Sequence, residues 1–122
     1  LHFFADDKRV AREADALEQG DMDTFLAVVN QSGRSSWDLL QNITPAGAVA
    51  DQAMAVALAV AERALAGRGA CRVHGGGFAG TIQAFVPLDL LESFRTQVEG
   101  CLGEGSCHVL SIRPVGGVVL WP

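Results

Sequence analysis

The sequence predicts one α+β domain with a mainly antiparallel sheet. Several segments between residues 6 and 66 repeat their apolar side chains at intervals of 3 and 4, the period of amphipathic helices. From residue 70 onward short strand-like stretches take over, "ACRV", "TIQAFVP", "CHVLSIRP" and "VVLW", separated by a glycine loop, one helix and a "VGG" turn. The order β–loop–β–α–β–turn–β gives about four strands in one sheet covered by helices. A length of 122 residues suits a single domain, residues 1–122, and 49% hydrophobic against 19% charged residues supplies a core and argues against disorder.

The first helix is expected over 6–19, with Asp6 or Asp7 as its cap and Val10, Ala14 and Leu17 on one side. Gly20 stops it and Asp21 caps the next helix, expected over 22–32, with Phe25, Val28 and Val29 buried. Gly33 is a candidate break. "RSSWDLLQNI" follows as a further helical segment, with Ser35 or Ser36 as its cap. In "NITPAGA", Thr44 reads as an N-cap and Pro45 as a first helical residue, opening an Ala-rich helix over about 46–66. Met54, Ala57, Leu58, Ala61 and Leu65 form its stripe, and Gly67 and Gly69 end it. After the glycines, Ile82, Ala84 and Val86 alternate with Thr81, Gln83 and Phe85. "LDLLESFRTQVEGCL" is an amphipathic helix turning Leu91, Phe94, Val98 and Cys101 or Leu102 inward.

Composition excludes some classes. The net charge is −5, and there is no basic tract, so an electrostatic footprint for nucleic acid is missing. No apolar run reaches the length of a bilayer span, and acidic and basic residues stand at 6–9 where a signal peptide would be apolar. Cys71, Cys101 and Cys107 lack a zinc-type pair and read as reduced thiols of a cytoplasmic protein. The chain begins at Leu1 rather than Met, which reads as a piece of a longer protein.

The segment "CRVHGGGFAGTIQAFVP" holds Gly75, Gly76, Gly77 and Gly80 within six residues. They fit G-x-G-x-x-G, but a dinucleotide fingerprint needs a helix after the glycines, and the residues after Gly80 alternate as a strand. They also fit a P-loop spacing, but Thr81 stands where the phosphate-binding lysine belongs. A tight turn needs one or two glycines. Four indicate backbone packed closely against another loop or a ligand.

At these residues the chain resembles the galactokinases and, more broadly, the GHMP kinases. The third motif of that family runs roughly T-G-G-G-F-G-G-C between two strands. Here it stands as His74-Gly75-Gly76-Gly77-Phe78-Ala79-Gly80-Thr81, with His74 in place of Thr and Ala79 in place of Gly. "DDKRVAREADALEQGD", "QGDMDTFLAVVNQSGRSSWDLL" and the tail "HVLSIRPVGGVVL" resemble the flanking segments of the family in the same order. The resemblance implies a ferredoxin-like C-terminal domain whose own N-terminal kinase domain carries the phosphate loop, the catalytic Asp and most sugar-binding residues. It implies ATP, Mg²⁺ and a hexose substrate for the intact protein, and no catalytic residue in this chain. Gly75, Gly76, Gly77, Phe78 and Gly80 are the implied nucleotide-side residues, packing backbone against the phosphate loop. His74 is a substrate-side candidate, with a strand-end histidine bonded to backbone as the alternative. Two other readings stay open: a sugar- and ATP-dependent regulator without turnover, and a stand-alone α+β binding module.

Other polar candidates carry less. Glu18, Asp21, Asp23 and Asp38 have no metal-ligand spacing, and His2, His74 and His108 are scattered. Ser32, Ser35 and Ser36 either line a cleft or bond turns and caps. Trp37 and Trp121 read as core or interdomain anchors.

Overall fold

The structure, a computed structural model, describes residues 1–48, 50–78 and 80–119. It is α+β, with four helices and a two-stranded antiparallel sheet. Helix α1 spans His2–Gln19 and α2 spans Met22–Leu40. The Gly20 stop and the Asp21 cap fall where the sequence puts them. Gly20 takes φ +70° and sends its N–H back to Ala16 and Leu17. The Asp21 carboxylate accepts the Thr24 N–H at 3.0 Å. The start of α1 differs: it begins at His2, so Asp6 and Asp7 are interior and do not cap it.

Gly33 does not break α2. The helix runs through it to Leu40, leaving Ser35 and Ser36 inside the helix rather than at a cap. Gly33 is there for packing. A Cβ on it would lie 2.6 Å from Arg72 Cβ and 3.3 Å from Arg72 Cα. One turn earlier, Asn30 pairs with the strand β1, Ala70–Val73, as a neighbouring strand would. Its Nδ2 donates to Gly69 O at 3.2 Å and its Oδ1 accepts the Cys71 N–H at 3.1 Å. Helix α2 therefore covers the outer edge of β1.

The expected opening of the third helix at Thr44–Pro45 is not formed. Residues 43–48 and 50–52 form bends and turns rather than a helix, with Gly47 at φ +78°, and α3 spans Ala53–Leu65. Its expected stripe is buried throughout: Met54, Ala57, Leu58, Ala61 and Leu65. Strand β2, Ile82–Phe85, pairs with β1 in the register Ala70↔Phe85 to Val73↔Ile82. Cys71, Val73, Ile82, Ala84 and Val86 lie on one face, in a core with α3 and with Phe94 and Val98 of α4, Leu91–Leu102. The opposite face carries Ala70 and Phe85 against Ala16, Phe25 and Val29, with Phe25 and Phe85 edge to face at 5.2 Å. A 3₁₀ turn, Leu88–Leu90, leads into α4. Cys101 and Leu102 are exposed rather than buried, because α4 meets the core through its middle turns only.

The sheet has two strands where the sequence predicts about four. Among the described residues, 103–119 form no strand, and Leu110, Ile112 and Val119 stand nearly fully exposed at 87%, 88% and 89%. A strand is stable only when its backbone groups meet a ladder partner, and these residues have none. The Arg113 guanidinium instead bonds its own turn, at Val115 O and Gly116 O. Leu120 and Trp121, the end of the last predicted strand, lie outside the described residues, as does Ala79. Among the described residues no helix is long and apolar enough to cross a membrane.

Helix α1 is held in a distinctive way. Ala16 is its one buried side chain among the described residues. Further along, Asp6 joins α1 to α2 and β1. Its Oδ1 accepts Ser32 Oγ–H at 2.6 Å and Arg9 at 3.1 Å, and Ser32 Oγ in turn accepts Arg72 at 2.6 Å. Burial alone would raise the Asp6 pKa. The hydrogen bonds from Ser32 and Arg9 and the charges of His2 and Arg72 outweigh it and hold the carboxyl below the ordinary 3.8. A lowered folded-state value stabilises the fold fully above the unfolded value and loses that contribution as pH falls through the folded one. Glu13 nearby goes the other way, raised chiefly by burial. The thermal midpoint is therefore expected to drop as pH falls below the ordinary carboxyl value of 3.8. Asp6→Asn should lower the neutral-pH midpoint and flatten that acid limb. Coincident acid limbs in a circular-dichroism pH series would show that Asp6 does not tie α1 down.

Candidate functional site

The β1–β2 connection closes at its base, where the His74 N–H donates to Thr81 O at 3.1 Å. Within it Gly75, Gly77 and Gly80 take φ of +64°, +80° and +77°, the left-handed region that L side chains avoid. Gly77 has a second reason. A Cβ there would overlap the carbonyl oxygen of Asn42 and lie 2.9 Å from its Cβ. The close backbone approach implied by the sequence is thus, at Gly77, an approach to another loop of the same chain. Gly76 is different: its φ is not positive and a Cβ on it would meet nothing within 4 Å among the described residues. Neither backbone conformation nor packing inside this chain calls for glycine there.

Asn42 holds the tip of the loop. It is 2% exposed and follows Gln41, the left-handed residue that ends α2. Its main-chain oxygen accepts the Phe78 N–H at 3.2 Å. Its Nδ2 donates to Ser36 Oγ at 2.8 Å and to Gly76 O at 3.3 Å. Sequence reading missed Asn42, which looked like part of a helix boundary. Its partners in the glycine loop lie 34 or more residues away, and no local pattern announces them.

Phe78 sits at φ +58° with 53% of its surface exposed. A bulky side chain in this region is strained. His74 is exposed, directly after the end of β1. No lysine, arginine or carboxylate occurs between His74 and Thr81, so the loop offers backbone groups, one imidazole and one aromatic ring. That set can approach an anion or another loop closely but cannot transfer a proton from a carboxylate.

The three serines take structural roles. Ser36 accepts Asn42, Ser32 links Asp6 to Arg72, and Ser35 Oγ lies 3.0 Å from His2 Nδ1. Trp37 packs against the main core. It also lines a cavity of about 330 Å³ between α2, α3 and β1, with Arg34, Leu58, Glu62 and Cys71. Among the described residues that cavity includes none of the glycine loop. Burial, assisted by Glu62, pushes the Cys71 thiol up to about 11, so it stays protonated and unreactive at neutral pH. Among the described residues no cluster of His, Cys, Asp or Glu is placed to hold a metal ion.

No family model, curated protein or solved structure matches the chain.

Proposed function

We propose that this chain is the C-terminal domain of a galactokinase-like, cytoplasmic sugar kinase. The intact protein would transfer the γ-phosphate of ATP to a hexose hydroxyl, with galactose the first candidate. The observation that carries the reading is Gly76. It sits in a loop, His74-Gly75-Gly76-Gly77-Phe78-Ala79-Gly80, that resembles the third motif of the GHMP kinases, and packing among the described residues gives no reason for a glycine there. A partner surface would supply the reason.

Phosphoryl transfer depends on positioning and charge stabilisation more than on covalent chemistry by the protein. Backbone without side chains at Gly75 and Gly76 suits close approach to a phosphate-binding loop of the N-terminal kinase domain. The described residues fit that supporting role for ATP. They offer no ligand set for Mg²⁺, which would arrive with the nucleotide. The four-stranded, ferredoxin-like form of the fold belongs to the same reading. Val109, Leu110 and Ile112 lie exposed in a stretch of strand-like sequence, and a completed sheet would cover them.

The test is ADP release by the intact gene product with Mg-ATP and a panel of hexoses headed by galactose. Turnover with galactose is expected. Turnover with another sugar alone would keep the kinase and make His74 a specificity residue. A folded protein that binds ATP but turns over no sugar would replace this reading with that of a sugar- and ATP-dependent regulator, since His74 and Ala79 both depart from the motif. A protein that binds no nucleotide would leave the stand-alone binding module.

A further inference from the structure

We infer that Asn42 is a positioning residue that holds the glycine loop in its working geometry; its catalytic consequence rests on the kinase reading above. Three observations converge on it. Asn42 reaches the loop three times, through Phe78 N–H to its main-chain oxygen, its Nδ2 to Gly76 O, and the close seat of Gly77 on its carbonyl. Its Nδ2 is aimed by Ser36, buried to 1% exposure one and a half helical turns back. Its Oδ1 is buried and has no hydrogen-bond partner, the one such side-chain atom among the described residues.

An orphaned buried acceptor destabilises a fold, as does a left-handed phenylalanine. Both features meet at this loop. Turning the amide over would set Oδ1 against Gly76 O, carbonyl to carbonyl, and lose the donor that holds the loop. The observed orientation therefore favours the loop at the expense of Oδ1. Local conflicts of this kind concentrate where a fold holds a functional geometry. The hold matters at Gly76, the glycine that this chain's packing does not explain, because its carbonyl is what Nδ2 grips.

Asn42→Ala tests this in the intact protein. Exchange of the Phe78 amide, which is bonded to Asn42 O, is expected to quicken at least tenfold, while amides of α3 and β1 keep their rates. With Mg-ATP and the sugar that turns over, kcat should fall about 10- to 100-fold with KM for ATP little changed, as for an interaction made in the transition state. Ser36→Ala, which keeps the Asn42 side chain but removes its aim, should show a smaller effect of the same kind. The double variant should be no worse than Asn42→Ala alone. Unchanged loop exchange in both single variants would overturn the inference. So would a lower melting temperature with kcat of the folded protein unaltered, which marks a purely structural residue. If Asn42→Ala does not fold, Ser36→Ala decides by the same two readouts. Quickened exchange in a protein whose wild type phosphorylates no sugar would keep Asn42 as the holder of the loop and discard the kinase.

Discussion

If the intact protein is the sugar kinase proposed above, Gly76→Val is expected to cut its turnover by about 10²–10³-fold, the scale for loss of one preorganised backbone contact to developing charge. The domain should remain folded. Gly76 has no positive φ, and a Cβ there meets no described atom within 4 Å, so a side chain enters without left-handed strain and into open space among the described residues. Exposed substitutions of this sort change stability by about 0.5 kcal/mol or less. The variant therefore separates the loop's function from its folding, which Gly77 cannot do. There a side chain meets both a φ of +80° and the Asn42 carbonyl, and fold and function fail together. Steady-state kinetics beside a melting curve checks the prediction. An unaltered kcat in Gly76→Val would remove the loop from the mechanism.

Gly33→Ala should destabilise the domain, although it replaces glycine by the best helix former. Inside a helix that exchange alone gains about 1 kcal/mol. Here the new methyl group would stand 2.6 Å from Arg72 Cβ, with Arg72 Cα at 3.3 Å and Cys71 O at 3.5 Å. Strand β1 cannot yield as the end of a flexible side chain would. Helix α2 must move away, stretching the Asn30 bonds to Gly69 and Cys71 and the Ser32–Arg72 bond. Overpacking of a tight contact costs about 1–3 kcal/mol, and a site hemmed in by main chain falls at the upper end. The net loss is about 1–2 kcal/mol, or several degrees in melting temperature for a domain of this size. Calorimetry on Gly33→Ala measures it directly. A raised midpoint would mean that α2 is not pressed onto β1.

The two glycines also show how far the chain could be read without its fold. Gly33 and Gly20 look alike in sequence, each following a helical pattern. Gly20 ends α1, since Asp21 directly behind it can cap a new helix. Gly33 also has cap candidates behind it, Ser35 and Ser36, yet α2 continues through all three and presses Gly33 against β1, some 40 residues later. Similarly, Thr44 and Pro45 have the chemistry of a helix start, yet Gly47 turns the chain and α3 waits until Ala53. Of the candidate site, the glycines, Phe78 and His74 were legible as a loop between strands. Asn42 was not.

Properties that depend on near neighbours along the chain were decided by the amino-acid order alone. These are the helical character of the segments that become α1 to α4, though not all their bounds, the Gly20–Asp21 junction, the buried stripe of α3, the β1–loop–β2 hairpin and its two faces. Each follows from period, capping or turn chemistry acting over a few residues. Contacts between distant segments decided the rest. Asn42 against Gly77, Asn30 along the edge of β1, and the Asp6–Ser32–Arg72 link all depend on how α1 and α2 lie on the sheet. The strand-like tail shows the same division from the other side. Its sequence has the composition of strands, but a strand exists only with a neighbour to pair with, and residues 103–119 have none in this fold.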